Sequence, residues 1–531
     1  MILSIALKEF YTNLVSARFT IGFLLCLVLI PFTMLVSIND YKTHQKAYEI
    51  EKKQADKNNV VKVYSALRPE IVKPPEKLSI FSRGISNNVG NKVKIYFGIK
   101  PMLAEGRNTI RANPLLNGYF SLDFVTVTAI ILSLLALLFT YDSCTREREQ
   151  GTLKLILASS LSRWELLLGK ILGAAMTILP VILFCYLLSA LIILFHPAVS
   201  FTAGEWLRIA VMILTSIICF TFFMFLGVFI SSRLRSSMTS IVVCLFIWVT
   251  TLFVIPNMAV YAGQSFVERD TQENLDFALN DLDKEFREKV TDYRMKMENA
   301  DWHMNWNMSG GADGYMLVGG SSKSLYEFYR TLNMFQEPLR LEYADKKWSL
   351  QKVYIDKLDR QRICAERLAL ISPSEIFRQT ASSLCRTDVE SQYKFLERAI
   401  EYREELISYF NDKKLFESFA YFTTEDPKTF KTADEIIRIR TGGQFQTLSE
   451  FGEWSRTHNN DWSPLYKVDI PGTNPWEAEP LNISHVPQFR FKPAELFDNL
   501  KQSLGKLVVL ILGCIIMFFL SFISFTRYDV R

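Results

Sequence analysis

Residues Tyr141–Gly173 read YDSCTREREQGTLKLILASSLSRWELLLGKILG, a short polar segment caught between two apolar runs. Arg146, Arg148, Lys154, Arg163 and Lys170 stand in it against Asp142, Glu147, Glu149 and Glu165. Lys and Arg gathered between two closely spaced hydrophobic spans mark a loop on the cytoplasmic side of a membrane. The local pattern is specific. Asp142–Gln150 prolongs the preceding helix beyond the membrane, and Gly151 permits a sharp break. Thr152–Ala158 can then form a short helix carrying Leu153, Ile156 and Leu157. Ser162 and Glu165 make a capping box that opens the next span. A short helix held between two rigid ones suits docking into a soluble partner and passing on its motion. The plainer alternative is a basic loop that only fixes topology, and the residues by themselves leave both readings open.

The rest of the chain agrees with a membrane setting. Of 531 residues, 49% are hydrophobic, 40 are Phe and 22% are charged. The apolar residues fall into about six blocks of roughly 20, the length a helix needs to cross a bilayer. They lie at 19–38, 122–141, 171–195, 207–231, 238–256 and 504–526. Residues 1–18 precede them as an amphipathic helix, with Leu3, Leu7, Phe10 and Leu14 on one stripe, lying in the membrane interface. A signal-peptide leader is the weaker alternative, since no small-residue cleavage site follows the apolar run. Lys8, Arg18, the 142–170 loop, Arg233 with Arg235, and Arg527 with Arg531 all fall on one side, whereas the loop His196–Glu205 has no Lys or Arg. With the basic side inside, both termini and the tail 527–531 are cytoplasmic, and segments 39–121 and 257–503 are extracytoplasmic.

The fold expected is therefore mainly α: a six-span helix bundle with a large, mostly helical extracytoplasmic domain containing some β. In 39–121, His44–Ala66 is helix-prone, Pro74-Pro75 ends it, and Leu78–Ile95 reads as short strands with turns at Arg83-Gly84 and Val89-Gly90. In 257–503, one helical stripe runs Leu275, Leu279, Leu282, Phe286, Tyr293, Met297 and another runs Phe395, Ala399, Tyr402, Leu406, Tyr409. A helix over Leu325–Ala369 carries Pro338, and Ser372-Pro373-Ser374-Glu375 is a helix start. Residues 415–500, rich in Pro and Trp, read as loops and a few strands.

No catalytic pattern is present. There is no GxxxxGK[ST] phosphate loop, no HExxH and no GxSxG. Five His and eight Cys, none in CxxC or HxxxH spacing, give no metal signal. The charge of +5 belongs to the basic flanks of the spans and points to no nucleic-acid surface. Asn307-Met308-Ser309 and Asn482-Ile483-Ser484 match the glycosylation triplet, a pattern common by chance. The spans carry almost no internal charge; Asp123 and Arg208 sit at span ends within reach of the headgroups. Proton-coupled transporters and channels usually keep ionisable residues in the membrane. Their absence fits a protein whose energy arrives through a mechanical contact.

Several of these residues carry a resemblance. Glu147-Arg148-Glu149, Gly151-Thr152-Leu153, Ser162-Arg163 and Leu168-Gly169-Lys170 resemble the E-R-E-x-G-T-L and S-R…L-L-G-K runs of ABC transporter permeases of the type-2 exporter class. Family members often have Pro before the Ser-Arg, where this chain has Ser159-Ser160-Leu161. Leu78–Gly84, Ser372-Pro373, Thr387-Asp388 and Arg527–Arg531 are similar to the subfamily with large extracytoplasmic loops. The resemblance implies a non-catalytic permease subunit in the plasma membrane, paired as a homodimer or heterodimer. A separate ATP-binding subunit would supply the energy, with ATP and Mg held there and no cofactor in this chain. The family's coupling helix maps onto about Arg146–Ser160, with Arg146, Glu147, Glu149, Gly151, Thr152, Leu153, Arg163 and Lys170 as coupling residues. An alternative reading keeps the membrane core but has it transmit force to extracytoplasmic partners without moving a substrate.

Cys364 and Cys385 are the only cysteines outside the spans and the 142–170 loop, on the side expected to be oxidising, and form a candidate disulfide. A hairpin turning at Ser372 would offset them by roughly 10 Å, too far for a bridge. The sequence leaves that pairing open.

Overall fold

The computed structural model describes residues 1–85, 90–102, 123–153, 156, 162–197, 199–266, 272–297, 307–310, 316–470, 472–474 and 477–527. The Val89 turn, most of the second half of the short helix expected at Thr152–Ala158, and the end of the tail lie outside them.

Among the described residues, five helices are long and apolar enough to cross a bilayer: α2 (Ala17–Asn58), α5 (Arg163–Leu194), α6 (Ala203–Arg233), α7 (Ser237–Phe266) and α14 (Leu496–Thr526). The sixth apolar helix, α3 (Phe124–Leu138), has 15 residues. At 1.5 Å per residue it covers about 22 Å, short of the roughly 30 Å of a bilayer core. Nearly every face of α3 is buried against α2, α5, α6, α7 and the helix α10 (Pro373–Leu384). It is enclosed by protein, so its length need not match the lipid.

The helix starts follow from capping. Ser16 Oγ accepts from the Phe19 amide at the head of α2, and Asp123 Oδ1 from the Thr126 amide at 2.7 Å at the head of α3. Ser162 with Glu165 and Thr202 with Glu205 form complete capping boxes on α5 and α6. Each cap satisfies amides that have no partner in the first helical turn.

The N-terminal helix α1 (Ile2–Leu14) packs along the start of α5. It does so through Ala6, Glu9 and Asn13, whereas Leu3, Leu7 and Leu14 stay exposed. Gly169 and Gly173, one turn apart on α5, permit the approach. A Cβ at Gly169 would lie 2.7 Å from Ile5 Cβ, and one at Gly173 would lie 2.8 Å from the Ala6 carbonyl. The apolar stripe thus faces outward, as an interfacial helix requires, and the small, polar face binds the bundle.

Beyond the bundle, α2 runs on as a polar helix to Asn58. β1 (Glu70–Val72) pairs antiparallel with β2 (Lys92–Lys94), Ile71 opposite Val93. Leu78–Ile95 is therefore only in part strand: Lys77–Ile80 is a 3₁₀ turn whose Leu78 and Ile80 bury into the bundle core with Phe81. Its apolar residues were drawn to the helix bundle rather than to a sheet. A second hairpin joins β3 (Asn307–Gly310) to β4 (Met316–Gly319).

The polar lobe is helical. α8 (Gln272–Lys296) packs on α9 (Lys323–Ala369), a 47-residue helix containing Pro338; Tyr293 stacks on Phe335 at 3.9 Å. α11 (Val389–Asp412) buries Phe395, Ala399, Tyr402 and Leu406, the expected stripe. Residues 415–500 hold no named strand among the described ones. They form 3₁₀ turns and two short helices, α12 (Ala433–Arg440) and α13 (Leu448–Thr457), around a separate small core of Ile436, Ile437, Phe445, Phe451, Leu465 and Ile470. Both helices are capped by Thr, and that signal outweighs the Pro and Trp content.

The lobe enters the bundle through α10. Ser372 caps this helix and also donates its hydroxyl to the Thr251 carbonyl at 2.6 Å, inside a π-helical turn of α7. The Cys219 thiol, near the middle of α6, faces the Pro373 carbonyl at 3.5 Å; Arg208, near the start of α6, donates to the Leu384 carbonyl at 2.9 Å. These two α6 residues are about 16 Å apart along the helix at 1.5 Å per residue. α10 therefore runs as a wedge along half of α6.

Candidate coupling site

The junction between α3 and α5 is built turn by turn. After α3 the chain bends, and the amides of Cys144 and Thr145 donate to Ser231 Oγ of α6 at 2.9 and 3.2 Å. A five-residue helix, α4 (Thr145–Glu149), follows. Gly151 stops it with φ of +71° and nothing within 4 Å of a hypothetical Cβ, so the glycine is needed for its backbone conformation. Thr152 and Leu153 resume helical geometry, and Leu153 and Ile156 anchor on the bundle core.

Within this frame Lys170 is 2% exposed, yet it carries a charge at the heart of the junction. Its ammonium lies 2.9 Å from Glu147, 3.1 Å from Glu9 of α1, and 2.6 Å from the Ser143 carbonyl it donates to. Arg146 reaches Glu9 at 3.5 Å and Asp142 at 3.9 Å, and Arg18 of α2 pairs with Asp142 at 3.0 Å. Three acids (Glu9, Glu147, Asp142) thus meet three bases (Lys170, Arg146, Arg18), with the exposed Lys8 reaching Glu147 at 3.8 Å as a fourth. Balance of this kind is what allows charge to be buried, because an unpaired ion there would cost several kcal/mol. The Cys144 thiol beside them is pushed up to about 11 by burial, so it stays neutral.

The junction is also tied to the remaining spans. Arg148 donates to the Leu234 carbonyl and, at 3.1 Å, to the Ser232 carbonyl at the end of α6. The Glu149 carboxylate accepts from the amide and hydroxyl of Ser237, the first residue of α7, at 2.7 and 2.8 Å. Those bonds, the backbone one foremost, hold the Glu149 carboxyl below its usual range. Ser240 of α7 donates to the Tyr141 carbonyl at 2.6 Å. Arg163 donates to the Thr526 carbonyl at the end of α14 at 2.5 Å.

The sequence-derived residues thus divide. Glu147, Lys170 and Leu153 point inward, Arg146 and Arg163 bridge, and Glu149, Gln150 and Gly151 are exposed. Glu9, Asp142 and Arg18 complete the network and were not among the coupling residues expected from sequence. Glu9 had a signal: an acid on the face of α1 opposite its leucines. The G-x-x-x-G spacing of Gly169 and Gly173, which marks close helix approach, was a second.

Asp123 and Arg208 do not reach outward. Asp123 is 5% exposed, capping α3 and accepting from the Arg83 amide at 3.0 Å. Arg208 is 2% exposed and donates to Leu384 O, Asn499 Oδ1 and Ala494 O. Carbonyls left open at the end of α10 draw the guanidinium in. Cys364 and Cys385 are free thiols, Cys385 buried in the bundle core beneath Arg208 and Cys364 half-buried on α9. No group of three or more His, Cys, Asp or Glu among the described residues could hold a metal ion.

Compared with known families, residues 3–530 match the family model described as ABC-2 family transporter protein. The chain belongs to the ABC-2 transporter family. A search of curated proteins finds none that matches. Family membership over nearly the whole chain, with the apolar helices, makes it a multi-pass membrane protein of the permease type. Permeases of the ABC-2 family are membrane subunits, generally not catalytic themselves, that usually work with an ATP-binding subunit.

Proposed function

We propose that this chain is the permease subunit of an ATP-driven exporter, and that the α3–α5 junction receives the stroke of a separate nucleotide-binding subunit. In this reading the basic ends of the spans face the cytoplasm, α3 counts as the second of six spans, and the polar lobe is extracytoplasmic. ATP and Mg belong to the partner, and two permeases, identical or not, form the assembly. The observation that carries the reading is the wiring of the junction. Glu149–Gly151 are presented outward on a segment that Arg148 and Glu149 tie to α6 and α7 and that Glu147 ties to Lys170 of α5; α5 in turn reaches α1 through Lys170 and α14 through Arg163. A push on such a segment reaches several helices at once, whereas a loop that only set topology would need no such ties.

The test is ATP hydrolysis and substrate release by the complex reconstituted in liposomes. Gly151→Val, strained at positive φ, should leave hydrolysis measurable and abolish its link to transport. Normal transport by that variant would defeat the proposal.

A second reading, transmission of force to the polar lobe without cargo, rests on the α10 wedge and its Arg208 latch, which join lobe and bundle closely. ATP-dependent movement of the lobe in liposomes across which nothing is transported would favour it.

A further inference from the structure

The polar lobe contains a cavity of about 280 Å³ well away from the junction, and five distant segments build it. Ser65, Leu67 and Arg68 precede β1; Tyr96–Ile99 follow β2; Asp283 and Phe286 come from α8; Arg340, Tyr343 and Lys347 from α9; Tyr421 from the turns after α11.

Two properties of this lining stand out chemically. The first is charge. Arg68, Arg340 and Lys347 face one space, and the carboxylates nearby are already engaged: Asp283 with Lys347, and buried Glu337 with Arg340 at 3.2 Å. Two carboxylates against three cations leave positive charge in excess. Burial, and after it the neighbouring Arg340, disfavour the charge of Arg68, an opposition that an anion between the two guanidiniums would relieve. The second property is aromatic surface. Tyr96, Phe97, Phe286, Tyr343 and Tyr421 supply the walls. The Arg68 guanidinium lies over the Tyr96 ring at 5.5 Å, and Phe286 packs on Tyr343 at 5.6 Å.

The walls are also held in place. Arg403, 1% exposed, donates to the carbonyls of Tyr96, at 2.9 Å, and Phe97. Lys100 pairs with Asp345 at 2.8 Å, fixing the far side of the same loop to α9. Gly98 lets the Arg340 stem lie flat against the loop; a Cβ there would come within 3.1 Å of Arg340 Cγ. A loop so pinned is organised before any ligand arrives, which lowers the cost of binding.

We propose that this cavity binds a small ring-bearing organic anion, its phosphate or carboxylate held by Arg68 and Arg340 with Lys347 in the same lining, and its ring against the aromatic walls. Paired guanidiniums match the fork of such oxyanions, and a few convergent charges set against aromatic walls are a common form of small-ligand site. The inference is independent of what drives the membrane core.

Isothermal titration of the full-length detergent-solubilised protein tests it, with phenyl phosphate as the probe and phenol and inorganic phosphate as partial probes. Saturable binding of phenyl phosphate is expected, at least tenfold tighter than either part alone. Arg68→Gln should weaken it tenfold or more. Lys347→Gln, whose amide can still donate to Asp283, should weaken it several-fold, with the melting temperature measured alongside as the control for folding. Absence of saturable binding, equal binding of phenol, or unchanged affinity in Lys347→Gln would overturn the assignment.

Discussion

Replacing Lys170 by Met keeps an unbranched stem one atom shorter and removes the ammonium, both its charge and its hydrogen-bond donors. Glu147 and Glu9 lie 2.9 and 3.1 Å from the ammonium, so the two carboxylates are at most about 6 Å apart. At an effective dielectric near 20 their mutual repulsion at that distance is about 3 kcal/mol. The Ser143 carbonyl also loses its donor, which adds on the order of 1 kcal/mol. Arg146 at 3.5 Å from Glu9 and Lys8 at 3.8 Å from Glu147 offset part of this, so a net loss of about 3 kcal/mol is expected, in the range for breaking a buried pair. Unfolding titrations in mixed micelles, followed by tryptophan fluorescence, read the loss directly. The decisive arm is rescue: Glu9→Gln with Glu147→Gln in the Lys170→Met background removes the repulsion and should recover most of the stability. If Lys170→Met lost less than about 0.5 kcal/mol, the scatter expected of a surface change, or if the Gln substitutions deepened the loss, the network would not be holding the junction together.

Other perturbations reach other links of the same chain. Gly173→Leu places side-chain atoms where Ala6 and Glu9 now lie; overpacking of about 1–3 kcal/mol should lift α1 from α5, seen as faster thiol labelling of a cysteine placed at Ala6. Ser372→Ala removes both the α10 cap and the bond to Thr251. It should cost roughly 1–3 kcal/mol and loosen lobe from bundle, measured as increased protease cleavage near Ile371. Glu337 is a carboxyl whose folded pKa is raised by burial. Its contribution to stability is complete below the unfolded value near 4.5 and is lost as pH rises through the folded value. Glu337→Gln should flatten that part of the melting-temperature profile against pH, and an unchanged profile would remove Glu337 as its source.

What could be read in the sequence was mostly local. The Ser162–Glu165 box, the Ser372-Pro373 start and the Phe395–Leu406 stripe each depend on residues within one or a few turns, and each forms as its spacing requires. What escaped depended on distant partners. Glu9 and Lys170 are 161 positions apart, and nothing local says that they meet. The face of α1 was legible, but which face binds protein was not, because in a membrane the lipid takes the leucines and leaves the small residues to the bundle. Arg208 failed for a related reason. A charge at a span end ordinarily seeks headgroups, yet here the open end of α10 and the Ala494 carbonyl offer better acceptors. Leu78 and Ile80 read as strand because short apolar runs are ambiguous, and the bundle core decided them.

The claim that the α3–α5 junction is where a separate ATPase pushes can be tested by proximity. A photo-crosslinking residue at Gln150, exposed beside Gly151, should capture an ATP-binding polypeptide in intact cells. The same residue at Phe195, exposed at the opposite end of α5, should not. Capture at Phe195, or none at Gln150 in cells containing the assembled transporter, would contradict both the site and the orientation assigned to it.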